Sequence, residues 1–384
     1  MRLTGVRIKG YRSVRQIRFP VGPLSVFVGR NGVGKTNLYR ALALLHAAAR
    51  GTITREIALE GGMDSVLWAG KERKSDPRRL ILSAEFGDLE YTIEVGLPVP
   101  SKQENNPARV ALTMSEPMVK EETIRLGTRG RSVVMMERKA GAVWLRDDSG
   151  RRRTYEDVLL PSETALASFQ DAEQFPELYR LRHAVLDWRL YHDFRTDAEA
   201  PIRQPCLAIV TPTLSGNGHD LAAVIATVRR VREDDTEIAG AIEDAFPGST
   251  LDLTWEGNRC SLAMVFPDGL RPPPEPPRAF AVHELSDGTL KYLCLVGALC
   301  GYRMPGFIAL NEPEASLHPD LIAPLARLIV NAADRARVWV VTHSDALGEE
   351  IERLTDVAPR QVVKRDAETW IDGLSQIGKF RNEE

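Results

Sequence analysis

The sequence predicts an α/β fold in which a central parallel sheet is joined by an antiparallel β subdomain and a helical lobe. Three observations lead there. Phe307–Leu310 and Val338–Val341 are unbroken apolar runs, the pattern of parallel strands covered on both faces. Leu24, Val26 and Val28 close a third strand that runs into a glycine-rich loop followed by an amphipathic helix. Between the two ends, Leu80, Leu82 and Ala84, then Tyr91, Ile93 and Val95, alternate around Gly87-Asp88, the period-2 signature of a β-hairpin.

The remaining elements follow in chain order. The helix after the loop sets Leu38, Ala41, Leu42 and Leu45 on one stripe. Further strands are expected over Val110–Met114, Val133–Met136 and Val143–Leu145. Residues 165–195 read as helical, with Leu178, Leu181, Val185 and Leu186 as the apolar stripe. Leu251–Trp255 and Ser261–Phe266 make a second hairpin across Gly257-Asn258, and Pro272–Pro277 (PPPEPP) reads as a stiff extended linker. Helices over Leu290–Leu299 and Asp320–Val330 accompany the two C-terminal apolar strands.

Composition sets bounds. With 384 residues, 43% of them hydrophobic and 27% charged, the chain can bury a sizeable core and has no bias toward disorder. A formal net charge of −3 supplies no global basic field, so any nucleic-acid contact needs a local patch. The start, MRLTGVRIKGYRSV, lacks the apolar core of a signal peptide. No apolar run approaches the roughly 18 residues that span a bilayer, so no membrane partner is expected. Cys206, Cys260, Cys294 and Cys300 form no CxxC pair; they read as buried free thiols of a cytoplasmic protein.

Four motifs carry chemistry. Gly29-Arg30-Asn31-Gly32-Val33-Gly34-Lys35-Thr36 matches G-x-x-x-x-G-K-[ST] without a gap. Its glycines let backbone N–H groups point at phosphate oxygens, and the following helix, with Asn37 in its first turn, offers its positive end. Lys35 is placed to reach the outer phosphates and Thr36 to ligate Mg²⁺. In the second motif the strand Phe307–Leu310 delivers Asn311 and Glu312 at its C-terminal end, where ligands bind in open α/β sheets. Glu312 is the candidate base for an attacking water. Asn311 stands where a carboxylate would serve the Mg²⁺ shell, and brings an amide oxygen without the charge. Val338–Val341 ends in Thr342-His343-Ser344, which makes His343 a candidate for a γ-phosphate contact. Leu285-Ser286-Asp287-Gly288-Thr289 precedes a buried helix, and reads either as a phosphate contact through Ser286 and Gly288 or as a plain helix cap.

In this order the motifs resemble those of ABC-type ATPase heads, within the RecF and SMC branch, and specifically the small RecF-like predicted ATPases. The phrases GRNGVGKTNLYRAL, ELSDGTLKYL, LNEPEASLHPDL and VVTHS carry the resemblance at both ends of the chain. It implies a P-loop NTPase fold of the ABC-ATPase head type, with ATP and Mg²⁺ as ligands and two copies closing over ATP as a homodimer. It also implies Glu312 as catalytic base, His343 as the switch histidine, and Ser286 and Gly288 as the signature that meets the opposite subunit's γ-phosphate. Ala315–His318 would be the D-loop at the dimer seam. The expected division is residues 1–100 as the N-terminal part of the head, 101–215 as an inserted β/α region and 216–384 as the C-terminal part. Gln170 is the candidate Q-loop residue; Tyr11 is either an adenine stacker or a core aromatic.

Such heads drive something else. Residues 125–153 hold nine Arg or Lys against three Asp or Glu, so a DNA backbone is one expected partner and a solvated β-surface the plain alternative. The region between the P-loop and LSDGT has no sustained heptads, so no coiled-coil arm is expected. About forty residues follow His343, too few for an appended nuclease domain; a partner nuclease or other effector would do any cutting. The sequence leaves two roles open: an ATPase serving DNA repair, genome maintenance or anti-phage defence, and a slowly hydrolysing, nucleotide-gated module that recruits a partner.

Overall fold

The computed structural model describes residues 1–70, 78–98, 116–128, 131–156, 158–267, 278–375 and 377–380. The expected strand at Val110–Met114 and the linker at Pro272–Pro277 lie outside the described residues. The chain divides into two compact units that interleave in sequence. One comprises residues 1–22, 29–188 and 360–384, the other 23–28 and 189–359.

The first unit is built on an eight-stranded antiparallel sheet. Its spatial order is Val14–Pro20, Gly5–Tyr11, Arg79–Phe86, Leu89–Gly96, Met118–Thr128, Arg131–Lys139, Ala142–Arg146 and Arg152–Tyr155. The predicted hairpin is present with its alternation intact. Leu80 faces Val95, Leu82 faces Ile93 and Ala84 faces Tyr91, and all six side chains are buried. Such a register is hard to slip, because a one-residue shift would turn this apolar row to water. The helix Lys35–Arg50 buries Leu38, Ala41, Leu42 and Leu45 as its stripe predicts and packs on the strands Gly5–Tyr11 and Arg79–Phe86. A short hairpin, Arg360–Arg365 with Glu368–Ile371, completes this unit.

The second unit holds the parallel sheet, in the order Arg189–Tyr191, Phe307–Asn311, Arg337–Thr342, Leu24–Val28. Phe307–Asn311 and Leu24–Val28 are buried at every position. Trp339 packs between Phe27 and Phe307, with ring centroids 4.5 and 6.3 Å away. The helices Asp287–Leu299, Ile322–Ala333 and Asp345–Thr355 belong to the same unit, as does a hairpin of Thr250–Glu256 with Arg259–Val265. All four cysteines are buried free thiols. Cys206 and Cys260 sit opposite each other in adjoining strands, Sγ to Sγ 3.6 Å.

One expected element is wrong in part. Residues 165–195 are not helical throughout: a short turn of helix spans Ala165–Ser168, a helix spans Pro176–Leu186, and Arg189–Tyr191 is a strand. Three residues are too few to show a period, and this strand forms only because its parallel neighbour Ile308–Leu310 supplies the ladder.

Candidate functional site

The glycine-rich loop lies in the first unit. Gly32 and Gly34 have φ of 80° and 99°, in the left-handed region that side chains with Cβ avoid. A Cβ on Gly32 would meet nothing within 4 Å, whereas one on Gly34 would run into Thr369 Oγ1 and Ser13 Oγ. The loop is thus open on one side and braced on the other. Thr369 donates its hydroxyl to the Val33 carbonyl at 2.8 Å, lies 2.6 Å from Ser13 Oγ, and Asn37 Nδ2 donates to Ser13 at 2.7 Å. Arg30 and Asn31 are exposed, and Gly29 and Thr36 half-buried.

Gly34 caps the helix Lys35–Arg50 without a side-chain hydrogen bond, and no acidic residue stands in its first turn. Its N-terminal amides and dipole are therefore left for an anion. Lys35 is only 4% exposed, and its ammonium donates to the carbonyls of Gly29 and Arg30. The loop fits a polyphosphate: open space at Gly32, uncapped amides and an inward cation.

The other motif residues lie in the second unit. Asn311 closes the strand Phe307–Asn311 and is 4% exposed. Its Nδ2 meets His192 Nδ1 at 2.9 Å, while its Oδ1 is buried with no partner among the described residues. An orphaned amide oxygen at this strand end suits a water bound to a hard cation. Glu312 follows at φ 49°, a left-handed conformation that costs a non-glycine residue about 1 kcal/mol or more. The side chain keeps about a third of its exposure.

His343 presents Nδ1 to two carboxylates, Glu314 at 3.2 Å and Glu312 at 3.9 Å. Two neighbours that sequence reasoning missed complete this cluster. Glu314 is 6% exposed and accepts from the Thr342 hydroxyl and the His343 N–H. Lys291, on the helix Asp287–Leu299, is 6% exposed. Burial pushes its ammonium below the usual lysine range, against the opposing pull of Asp193, Glu314 and Glu312. Its sequence signal was available: one lysine inside the apolar run of DGTLKYLCLVGAL.

Ser286 caps that helix, accepting from Thr289 N–H at 3.2 Å, so the plain capping role is real. The same turn lines a groove of about 630 Å³ with Gly288, Ser316, Leu317 and His318. A Cβ on Gly288 would stand 2.9 Å from the Ser316 carbonyl oxygen; the Leu285–Thr289 turn and the expected D-loop touch there.

Other candidates lie elsewhere. Tyr11 is fully buried and its hydroxyl donates to Glu60 at 2.8 Å, as a core aromatic. Gln170 is exposed and, among the described residues, bonds only the local Ala167 carbonyl. The basic stretch does not present one face: Arg138 is wholly buried, Lys139 pairs with Glu137, Arg153 with Asp147, and Arg152 lies over the Trp144 ring.

Comparisons with known proteins match both ends of the chain. Residues 1–143 match the family described as "AAA ATPase domain", and residues 278–347 the one described as "AAA domain, putative AbiEii toxin, Type IV TA system". No curated protein matches the sequence. Among solved structures the chain is similar to an SMC head bound to the C-terminal winged-helix domain of ScpA, at 15% identity and a TM-score of 0.52, covering 98% of this chain and 99% of that one. The SMC head domain from Thermotoga maritima gives 17% identity, 97% and 98% coverage and a TM-score of 0.43. A Pyrococcus furiosus SMC head with an extended coiled coil, bound to the C-terminal domain of ScpA, gives 14%, 97% and 96%, and 0.49. At these identities the likeness to the first structure is one of fold. Among the described residues no helix is long and apolar enough to cross a membrane.

Proposed function

We propose that this chain, an ABC-type P-loop ATPase of the RecF, SMC and OLD kind, binds ATP with Mg²⁺, closes as a homodimer on it and hydrolyses it. The single observation that carries the reading is the loop itself, with uncapped helix amides, open space at Gly32 and Lys35 turned inward. In this reading Gly29, Gly32, Gly34 and Lys35 hold the phosphates, with Arg30, Asn31, Val33 and Asn37 as the rest of the cradle. Thr36 and the Asn311 oxygen hold Mg²⁺, which when bound neutralises charge on the phosphates. Glu312 orients the attacking water and takes its proton; His343 contacts the terminal phosphate. Ser286 and Gly288 meet the partner copy's nucleotide through the signature groove.

The ATPase would serve DNA maintenance or anti-phage defence, with DNA or an effector such as a nuclease as partner. A second reading, a slow nucleotide-gated module, is favoured by Asn311, which lacks the carboxylate charge and spends its amide on His192. One experiment separates them: ATP turnover and solution mass of the wild type and Glu312→Gln, with and without duplex DNA. We expect wild-type turnover and, for the variant, a rate lower by about a hundredfold or more with an ATP-stabilised dimer. Equal nucleotide binding without turnover in both proteins would sink the ATPase and leave the switch. Stimulation by DNA would support the DNA-linked role, and its absence would remove DNA from the scheme.

A further inference from the structure

Arg203 closes the short 3-10 turn Pro201–Arg203, and its guanidinium reaches the turn Leu285–Thr289 far along the chain. Nη1 donates to the carbonyls of His283 and Leu285, each at 3.0 Å, and Nη2 to the Asp287 carboxylate at 2.7 Å. Nε donates to the Thr196 carbonyl at 2.8 Å, so all three edges of the planar group are engaged. The two carbonyls stand just before Ser286 and the carboxylate just after it. The Arg203 side chain is 10% exposed and that of Asp287 60%: the cation is packed in, while Ser286 and Asp287 face water.

A helix cap needs only Ser286, which already accepts the Thr289 N–H. The guanidinium adds a rigid fork of donors that sets the relative positions of three acceptors, through hydrogen bonds that its charge strengthens. At its far end the turn packs against the Ser316 carbonyl through Gly288, so it is held at both ends. Resting on the reading that Ser286 and Gly288 meet the partner copy's nucleotide, we propose that Arg203 is the positioning residue of this turn. It presets the backbone that presents Ser286 and Gly288, so it acts on the nucleotide bound by the other copy and not on that of its own chain. A turn ordered in advance loses no further freedom when that nucleotide arrives.

The test uses the full-length protein with Arg203→Ala, which removes the fork, and Arg203→Lys, which keeps the charge on a flexible stem. Turnover should fall about a hundredfold in Arg203→Ala, the scale of a group displaced by about 1 Å, and Arg203→Lys should recover little of it. ATP affinity of the single chain should stay within about twofold, as for an interaction made only after binding. Amide exchange at Thr289 and Leu290, which donate to Ser286, should quicken about tenfold. Mixing then separates a role across the dimer from one within the chain. Lys35→Ala chains lack a working phosphate loop but keep the Leu285–Thr289 turn, so pairing them with an Arg203 variant rebuilds one complete site. Turnover should return to about a quarter of wild type, one site in each of half the dimers. Ser286→Arg mixed with Lys35→Ala is the control. Recovery in the control but not with a folded Arg203 variant overturns the proposal alone. No recovery in the control overturns the shared-site reading, and the proposal with it. If the wild type hydrolyses no ATP, dimer mass in ATP reads the same mixtures. Wild-type turnover and exchange in Arg203→Lys overturn the proposal whether or not Arg203→Ala folds.

Discussion

Two buried charge clusters, one in each unit, differ in how completely they are satisfied. In the antiparallel sheet, Glu122 and Arg138 are both fully buried. Glu122 accepts from Ala165 N–H at 2.6 Å, Leu166 N–H at 3.0 Å and the Tyr91 hydroxyl at 2.9 Å. Arg138 donates to the carbonyls of Ala140, Leu160 and Glu163 and lies 3.9 Å from Glu122. Burial still raises the Glu122 carboxyl above its usual range, with the two amides and Arg138 opposing. At the ends of the parallel strands, by contrast, Asn311 Oδ1 and Glu314 Oε2 have no donor among the described residues, and burial lowers the nearby Lys291 ammonium below its usual range. The first cluster pins residues 160–166 to the sheet. The second places unpaired acceptors and a cation at the proposed reaction centre, so on that proposal the same chemistry would serve architecture in one unit and function in the other.

The comparison breaks most readily at Arg138. Arg138→Met leaves a buried carboxylate without its cation and should cost about 3–5 kcal/mol in denaturant unfolding, with turnover per folded molecule unchanged. A loss of turnover at full stability would place Arg138 in the working machinery instead. Asn311→Asp sharpens the other side. It adds the charge that the strand end lacks, so the Mg²⁺ concentration for half-maximal turnover should fall by about three- to tenfold, as ligand charge governs affinity for hard cations. Chelating Mg²⁺ should stop turnover in both forms, and an unmoved Mg²⁺ dependence would remove Asn311 from the metal shell.

Lys291→Met is the mirror of Arg138→Met and should behave differently. Stability should fall by less than in Arg138→Met, because two of the carboxylates that pull on Lys291, Asp193 and Glu312, keep contact with water, while turnover falls. A loss as large as that of Arg138→Met would mean that the two clusters do the same work. The smallest effect concerns acid. The Asp147 carboxyl is held down at about 2 by the Ser149 hydroxyl first, then by Arg151 N–H and Arg153. A depressed carboxylate stabilises above its unfolded value and loses that contribution as pH falls through the folded one. Melting temperature should therefore drop slightly more for the wild type than for Asp147→Asn between about pH 5 and pH 2; parallel curves would show the turn to be neutral.

Much of this was legible beforehand because it is local. Gly29–Thr36 specifies its own loop, and the rows Leu80, Leu82, Ala84 and Tyr91, Ile93, Val95 specify a hairpin through the two-residue period. What escaped depends on partners far along the chain. Arg138 reads as one more basic residue of a charged stretch until the carbonyls of Leu160 and Glu163 close over it. Glu314 sat inside the LNEPEASLHPDL phrase with no role, because its hydrogen-bond partners, Thr342 and His343, stand at the end of another strand. Arg189–Tyr191 is a strand only beside Ile308–Leu310.

The brace under the glycine-rich loop has a consequence for how the protein is made. Thr369, which holds the Val33 carbonyl, is 336 residues further along the chain, and its contact with Ser13 spans 356. A ribosome will have released the loop and its helix long before it adds the hairpin that steadies them. On the proposed function, nucleotide capture would gain this brace only once residue 369 has been made, and a polypeptide stalled short of residue 360 would carry the whole P-loop sequence without it.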